Sequence, residues 1–167
     1  ETTKTIDYKI SKVKKIDDGI YKITFKRKGE MQMPIDFTII DKNDSAHHFH
    51  IPNTWFVKPT QAQVLNRWIG WGPKLKPSYT TTVNIGPSNK IKQVIIDPSY
   101  RLADVDWTNN IYPFSTDINF DWKVYKPINW KSYDLKLFPA LWYNGYDGIK
   151  IGINLTGDYL KYKHIID

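Results

Sequence analysis

Cysteine is absent from the 167 residues, which excludes disulfides, thiol catalysis and cysteine-ligated zinc. Glutamate occurs only at Glu1 and Glu30, and alanine only at Ala46, Ala62, Ala103 and Ala140. Two of the better helix formers are therefore nearly missing. No apolar run approaches the roughly 20 residues of a membrane-spanning helix. The chain opens on ETTKT rather than on a hydrophobic leader, as a trimmed secreted protein or a piece of a longer chain would. Glutamate follows no histidine, so HExxH is lacking, and no P-loop, nucleophile elbow or dinucleotide fingerprint appears. This chain is not expected to be an enzyme.

Aromatic residues are plentiful: seven Trp, eleven Tyr and seven Phe. With many Ile and Thr, they favour pleated, half-buried surfaces. The expectation is all-β. A net charge of +7 raises the question of nucleic acid, but the surplus is dispersed. Basic residues outnumber acidic ones by eleven to eight over residues 1–60, six to three over 61–110 and seven to six over 111–167. The densest runs, KVKK from Lys12 and KRK from Lys26, fall in alternating segments where lysine marks a solvated or edge face. No recognition module accompanies them, so no nucleic-acid partner is expected.

Strand patterns recur with turn residues between them. YKISKV (Tyr8 to Val13) is followed by the turn DDG and by IYKITFKRK, where Tyr21, Ile23 and Phe25 share a face. MPIDFTII places Met33, Ile35, Phe37 and Ile39 inward; the turn DKND and the strand HHFHI follow. Residues 52–77, with four prolines and two glycines, read as a structured crossing or long loop. SYTTTVNI, KIKQVIIDP and a short last strand in RLADVDW complete about seven strands. That count predicts an immunoglobulin-like or fibronectin-like β-sandwich over residues 1–112.

Residues 113–132 read as an aromatic linker that packs on something, and 133–167 as a β-hairpin, a truncated part of a larger β element. Its turn, NGYDG, offers Gly145 and Gly148 for positive φ. Ile149, Ile151, Ile153 and Leu155 alternate with Lys150, Gly152, Asn154 and Thr156, and Trp142, Tyr143, Tyr159 and Tyr162 bracket the hairpin. Such alternation suits a transmembrane β-barrel strand and equally a soluble sheet with one dry face. In either case a lone ribbon needs further strands.

Three constellations are candidates for chemistry. His48 and His50 share a strand face at a spacing that can put two imidazoles on zinc, though a third ligand is not evident beyond the distant His164. Asp97, Asp104, Asp106, Asn109 and Asn110 offer hard oxygens for calcium, but not at EF-hand spacing. They also suit strand ends and turns, where Asp and Asn bond their own backbone. Trp55, Trp68 and Trp71 offer a stacking surface for glycan or peptide, against the alternative that tryptophan rings fold into the domain.

The succession KGEMQMPIDFTI, RWIGWGPKLKPSY, KIKQVIIDPSYRLADVDWTNN and WYNGYDGIKIGINLTGDY covers nearly the whole chain. It resembles the region downstream of the catalytic domain in bacterial gluzincin zinc aminopeptidase-like metallopeptidases. The resemblance implies an accessory β-sandwich packed beside a peptidase domain of the same parent chain, with an outer-membrane-like β segment after it. It implies a periplasmic, outer-membrane-associated or extracellular location in a Gram-negative bacterium, with membrane association through the parent. Self-association through the hairpin is a further expectation. The family's HExxH, its downstream glutamate ligand and its substrate loop are not in this chain; GEM at Gly29 to Met31 is not that loop. No catalytic residue is carried over, no cofactor is expected here, and zinc belongs to the catalytic domain of the parent. The alternative is a free-standing carbohydrate- or peptide-binding sandwich that uses its tryptophans.

Overall fold

The structure, a computed structural model, describes residues 3–57, 59–69, 76–114, 116–119, 130–146, 148–159 and 162–165. The chain forms two compact units, Glu1–Phe114 and Ser115–Asp167.

In the first unit the strands are β1 (Tyr8–Asp17), β2 (Ile20–Arg27), β3 (Ile35–Asp41), β4 (Ala46–Ile51), β5 (Gln63–Val64), β6 (Ser78–Asn84), β7 (Ile91–Ile96) and β8 (Ile111–Tyr112). They make a three-stranded sheet in the order β1-β2-β6 and a five-stranded sheet in the order β5-β4-β3-β7-β8. Alternation places Tyr21, Ile23 and Phe25 of β2 and Ile35, Phe37 and Ile39 of β3 in one core with Phe49, Ile51, Val83, Val94 and Ile96. The sheets meet where the Phe25 and Phe37 rings lie 4.9 Å apart, and Phe37 stacks on Phe49 at 5.0 Å. In β1 a register shift between Ile10 and Lys12 puts Ile10 opposite Phe25 and Val13 opposite Ile23. That bulge lets two residues three apart pack against the same core.

RLADVDW departs from the expected last strand. Asp104 makes a single parallel bridge with Ile6, and Trp107–Asn110 forms a short 3-10 turn. Polar side chains that bond local backbone compete with a sheet ladder here, and they win. Gly29 sits where β2 leaves its sheet and the residues before β1 run alongside it. A Cβ there would collide with the Thr5 carbonyl oxygen and approach the Asp7 nitrogen to 2.5 Å, so the close crossing requires glycine.

The second unit is a four-stranded sheet built on β10 (Tyr133–Asn144) and β11 (Gly148–Tyr159). β9 (Thr116–Asn119) pairs parallel with Tyr133–Lys136, and β12 (Tyr162–Ile165) pairs antiparallel with Thr156–Tyr159. β9 falls inside the stretch expected to be a linker, most of which lies outside the described residues. Of the two turn glycines expected to allow positive φ, Gly148 has it and Gly145 does not. Tyr133 lies across Gly157, where any Cβ would strike its ring. An aromatic ring thus covers a glycine that leaves room for it.

The Phe37 side chain is 1% exposed and touches both neighbouring rings. Phe37→Ala should cost about 3–5 kcal/mol. Ile16→Ala, at a side chain 55% exposed, should stay within about 0.5 kcal/mol. Urea unfolding of the two variants measures both.

Candidate functional site

The outer face of the five-stranded sheet carries the paired histidines. His48 and His50 lie on β4 opposite Thr38 and Asp36 of β3. Thr38 Oγ1 is 2.9 Å from His48 Nδ1, and Asp36 Oδ1 is 2.6 Å from His50 Nδ1. Asp36 also faces the Arg101 guanidinium at 3.7 Å. Thr38 points outward, as alternation predicts, yet it is buried. The residues around Thr60–Ala62 and Pro98–Arg101 wall this face into an open cavity of about 270 Å³. Asp36 can orient the His50 ring as the carboxylate of a catalytic triad orients its imidazole. A nucleophile is what the arrangement lacks. Ser99 Oγ donates to Asp97 Oδ1 at 3.0 Å and accepts from Arg101 Nε at 2.9 Å. Among the described residues, Thr38 holds the one hydroxyl bonded to either imidazole.

The acidic span is taken up by structure. Asp97, with φ of +45°, caps its own turn by accepting from Ser99 Oγ and Leu102 N. Asp104 accepts from Tyr8 N at 3.0 Å, Asp106 N at 2.9 Å and Asn110 Nδ2 at 3.1 Å. Asp106 caps the 3-10 turn through Thr108 N. Asn109 Nδ2 bridges Asp106 Oδ2 at 2.7 Å and Asp7 Oδ1 at 3.2 Å. Lys28 stands 3.6 Å from Asp7 and 3.9 Å from Asp106. Burial pushes the Asp104 carboxyl above the usual carboxylate range, against the three N–H bonds, while neighbouring Asp7 adds to the rise. Among the described residues, no three or more His, Asp or Glu side chains are placed to hold a metal ion. His48 and His50 lie on the sheet face, apart from the knot that holds Asp104 and Asp106.

Trp68, a candidate for ligand stacking, is a core residue instead. It is 6% exposed, packs edge-on to Tyr8 at 5.6 Å and stacks on Tyr79 at 5.5 Å. Its Nε1 donates to the Lys76 carbonyl at 3.0 Å, which satisfies the one polar atom such a burial must provide for. Trp55 is 85% exposed, with Phe56 at 75% and Ile69 at 52%. The Arg67 guanidinium lies 3.0 Å from the Trp55 ring centre and covers one face of it. Trp71 falls outside the described residues.

No protein-family model, curated protein or solved structure matches the chain. Sequence reasoning missed the covered outer face. The signal available was the pairing of Asp36 and Thr38 with histidines across a hairpin, which becomes readable once the β3–β4 register is known.

One carboxylate at the end of the central strand β3 gives a pH prediction. Burial pushes the Asp41 carboxyl up, but the Ser45 N–H, His47 and the Asn43 N–H together outweigh it and hold it below the usual range. Its folded value lies below the unfolded one, so its stabilisation is present above about pH 3.9 and is lost as pH falls through the folded value. Asp41→Asn should therefore flatten the acid limb of the stability profile measured by denaturant titration. The internal hydrogen bonds that take up Asp97, Asp104, Asp106, His48 and His50 give a second expectation. The melting temperature should not move with EDTA or with added calcium or zinc, as calorimetry would read directly.

Proposed function

We propose that the chain is a non-catalytic accessory module of a secreted or envelope-associated zinc metallopeptidase of the gluzincin aminopeptidase class. Its first unit, an immunoglobulin-like sandwich in this reading, packs beside the peptidase domain. The observation that carries the reading is a division of labour on that unit. Asp36, His48, His50 and Asp104 are held in internal bonds, while Trp55, Phe56 and Ile69 present large apolar side chains to solvent. Exposed aromatics with an arginine beside them are the composition of an interface centre. The peptidase domain supplies the zinc and the chemistry; this unit supplies a rigid surface. A Gram-negative periplasmic, outer-membrane or extracellular setting goes with the same reading.

The alternative, a carbohydrate- or peptide-binding module, draws support from the exposure of Trp55. Trp68 is withdrawn from it by burial, and Arg67 occupies a ring face that a sugar would need. A tryptophan-fluorescence titration with oligosaccharides and peptides that shows a saturable shift would favour this alternative.

The leading reading makes two linked predictions. The reading frame that encodes this chain should also encode HExxH with a downstream glutamate ligand; a frame without them removes the peptidase assignment. In that protein, Trp55→Ala with Phe56→Ala should weaken retention of the peptidase domain after limited proteolysis by about tenfold or more. The melting temperature of the sandwich should stay unchanged, because both side chains are solvent-exposed.

A further inference from the structure

The β10–β11 hairpin sorts its side chains by face more strictly than a solvated ribbon requires. The register pairs Leu135 with Gly157, Leu137 with Leu155, Pro139 with Ile153, Leu141 with Ile151 and Tyr143 with Ile149. With Tyr133 and Tyr159 at the base, these twelve positions form one face, and none of them carries a charge. All four charged residues described in the two strands, Asp134, Lys136, Lys150 and Asp158, lie on the other face. There Lys136 pairs with Asp158 at 3.8 Å, Lys150 lies 5.8 Å from the Trp142 ring, and Gly152 faces Ala140. The outer part of the uncharged face is open: Leu141 is 68% exposed, Tyr143 75%, Ile149 72%, Ile151 80% and Ile153 78%.

We propose that this face contacts the acyl chains of a lipid bilayer, with the hairpin serving as two neighbouring strands of a membrane-embedded β-barrel. Length supports it. Each strand has twelve residues, and at about 3.3 Å per residue and a tilt of about 45° such a strand covers about 28 Å of membrane normal. That matches the apolar band of about 25 Å on outer-membrane barrels. Tyr143 at one end and Tyr133 and Tyr159 at the other stand where interfacial aromatic girdles belong; the opposite face, which carries all the charges together with Gly152, Ala140, Phe138 and Trp142, is the mixed polar face a lumen accepts. A protein partner would favour a compact patch rimmed by polar groups; a charge-free stripe along both strands suits hydrocarbon. β9 and β12 pair only with the base of the ribbon, so among the described residues no further strand is in register with Leu137–Tyr143 or Ile151–Leu155. Those edges are where the rest of a barrel would join, since hydrocarbon tolerates no open sheet edge.

The inference rests on the second unit alone and stands or falls separately from the peptidase reading. The cysteine-free chain permits a direct test. Single cysteines at Ile149, Lys150, Ile151, Gly152 and Ile153 would carry an environment-sensitive dye in the full-length protein that the reading frame encodes, refolded into phosphatidylcholine/phosphatidylglycerol vesicles containing doxyl-labelled lipid. At Gly152 an added Cβ meets only Ala140, at 3.8 Å. Dyes at 149, 151 and 153 should be quenched by the lipid severalfold more than dyes at 150 and 152. Failure to bind vesicles, or quenching without a two-residue period, overturns the proposal. So does burial of the odd positions in vesicle-free buffer as protein concentration rises, which would assign the face to a second copy of the chain. Ile151→Lys should reduce vesicle incorporation about thirtyfold or more, and Thr156→Lys, on the other face, should spare it; equal effects also overturn it.

Discussion

Three phenylalanines hold the first unit together, and their position explains why two sheets exist at all. Phe25 lies in the three-stranded sheet, Phe37 and Phe49 in the five-stranded one, and the rings contact in sequence. A sheet with one apolar face is unstable until that face is covered, and each sheet covers the other. The isoleucines at 23, 35, 39 and 51 fill the space around the stack with side chains whose branching suits the pleat. Trp68 closes one end, and its indole N–H bonds a backbone carbonyl so that the burial leaves no orphan donor. Everything polar in the unit is arranged around this apolar layer.

The acidic span after β7 shows how polar chemistry is drawn into that arrangement. β1 lies in one sheet and the residues that follow β7 leave the other, and the Tyr8 N–H donates to Asp104 across the gap. Three N–H bonds satisfy the Asp104 carboxyl and offset part of its desolvation, which still holds its pKa above the usual range. Asp41 acts in the same way at the far end of β3, closing its turn by accepting from Asn43 N and Ser45 N. The same residue types that would supply calcium or general-acid chemistry here define where strands end.

Much of this was legible from period and punctuation. Alternation in YKITFK and MPIDFTII identified the inward residues, because a strand's two faces differ by one residue and burial selects between them. The hairpin turn at NGYDG and the glycine at 148 were readable for the same local reason. What escaped depended on contacts distant in sequence. RLADVDW carries a plausible strand pattern, but Asp104 and Asp106 find partners on β1's approach and on the 3-10 turn, and those bonds replace a ladder. Trp68 read as available because it lies with Trp55 and Trp71 in a stretch without strand periodicity; Tyr8 and Tyr79, some 60 residues before it and 11 after it, supply the pocket that buries it. The cavity over Thr38 was equally hidden, since its walls come from segments without strand periodicity.

The two units satisfy the hydrophobic effect by different routes. In the first, an apolar row faces another apolar row and disappears from water, and the polar face absorbs histidine, threonine and carboxylate side chains into cross-strand pairs. In the second, a longer apolar row is complete, regular and uncovered along the outer two-thirds of the hairpin, while its charges are paired or turned to the opposite face. Had selection acted for a water-exposed ribbon, charges would be expected on both faces, because a single lysine among Ile149, Ile151 and Ile153 is enough to discourage edge and face association. Their absence from twelve consecutive face positions is the property that distinguishes this sheet from the sandwich. It links a residue-level alternation to the solvent proposed for each face: water outside the first unit, hydrocarbon against the second.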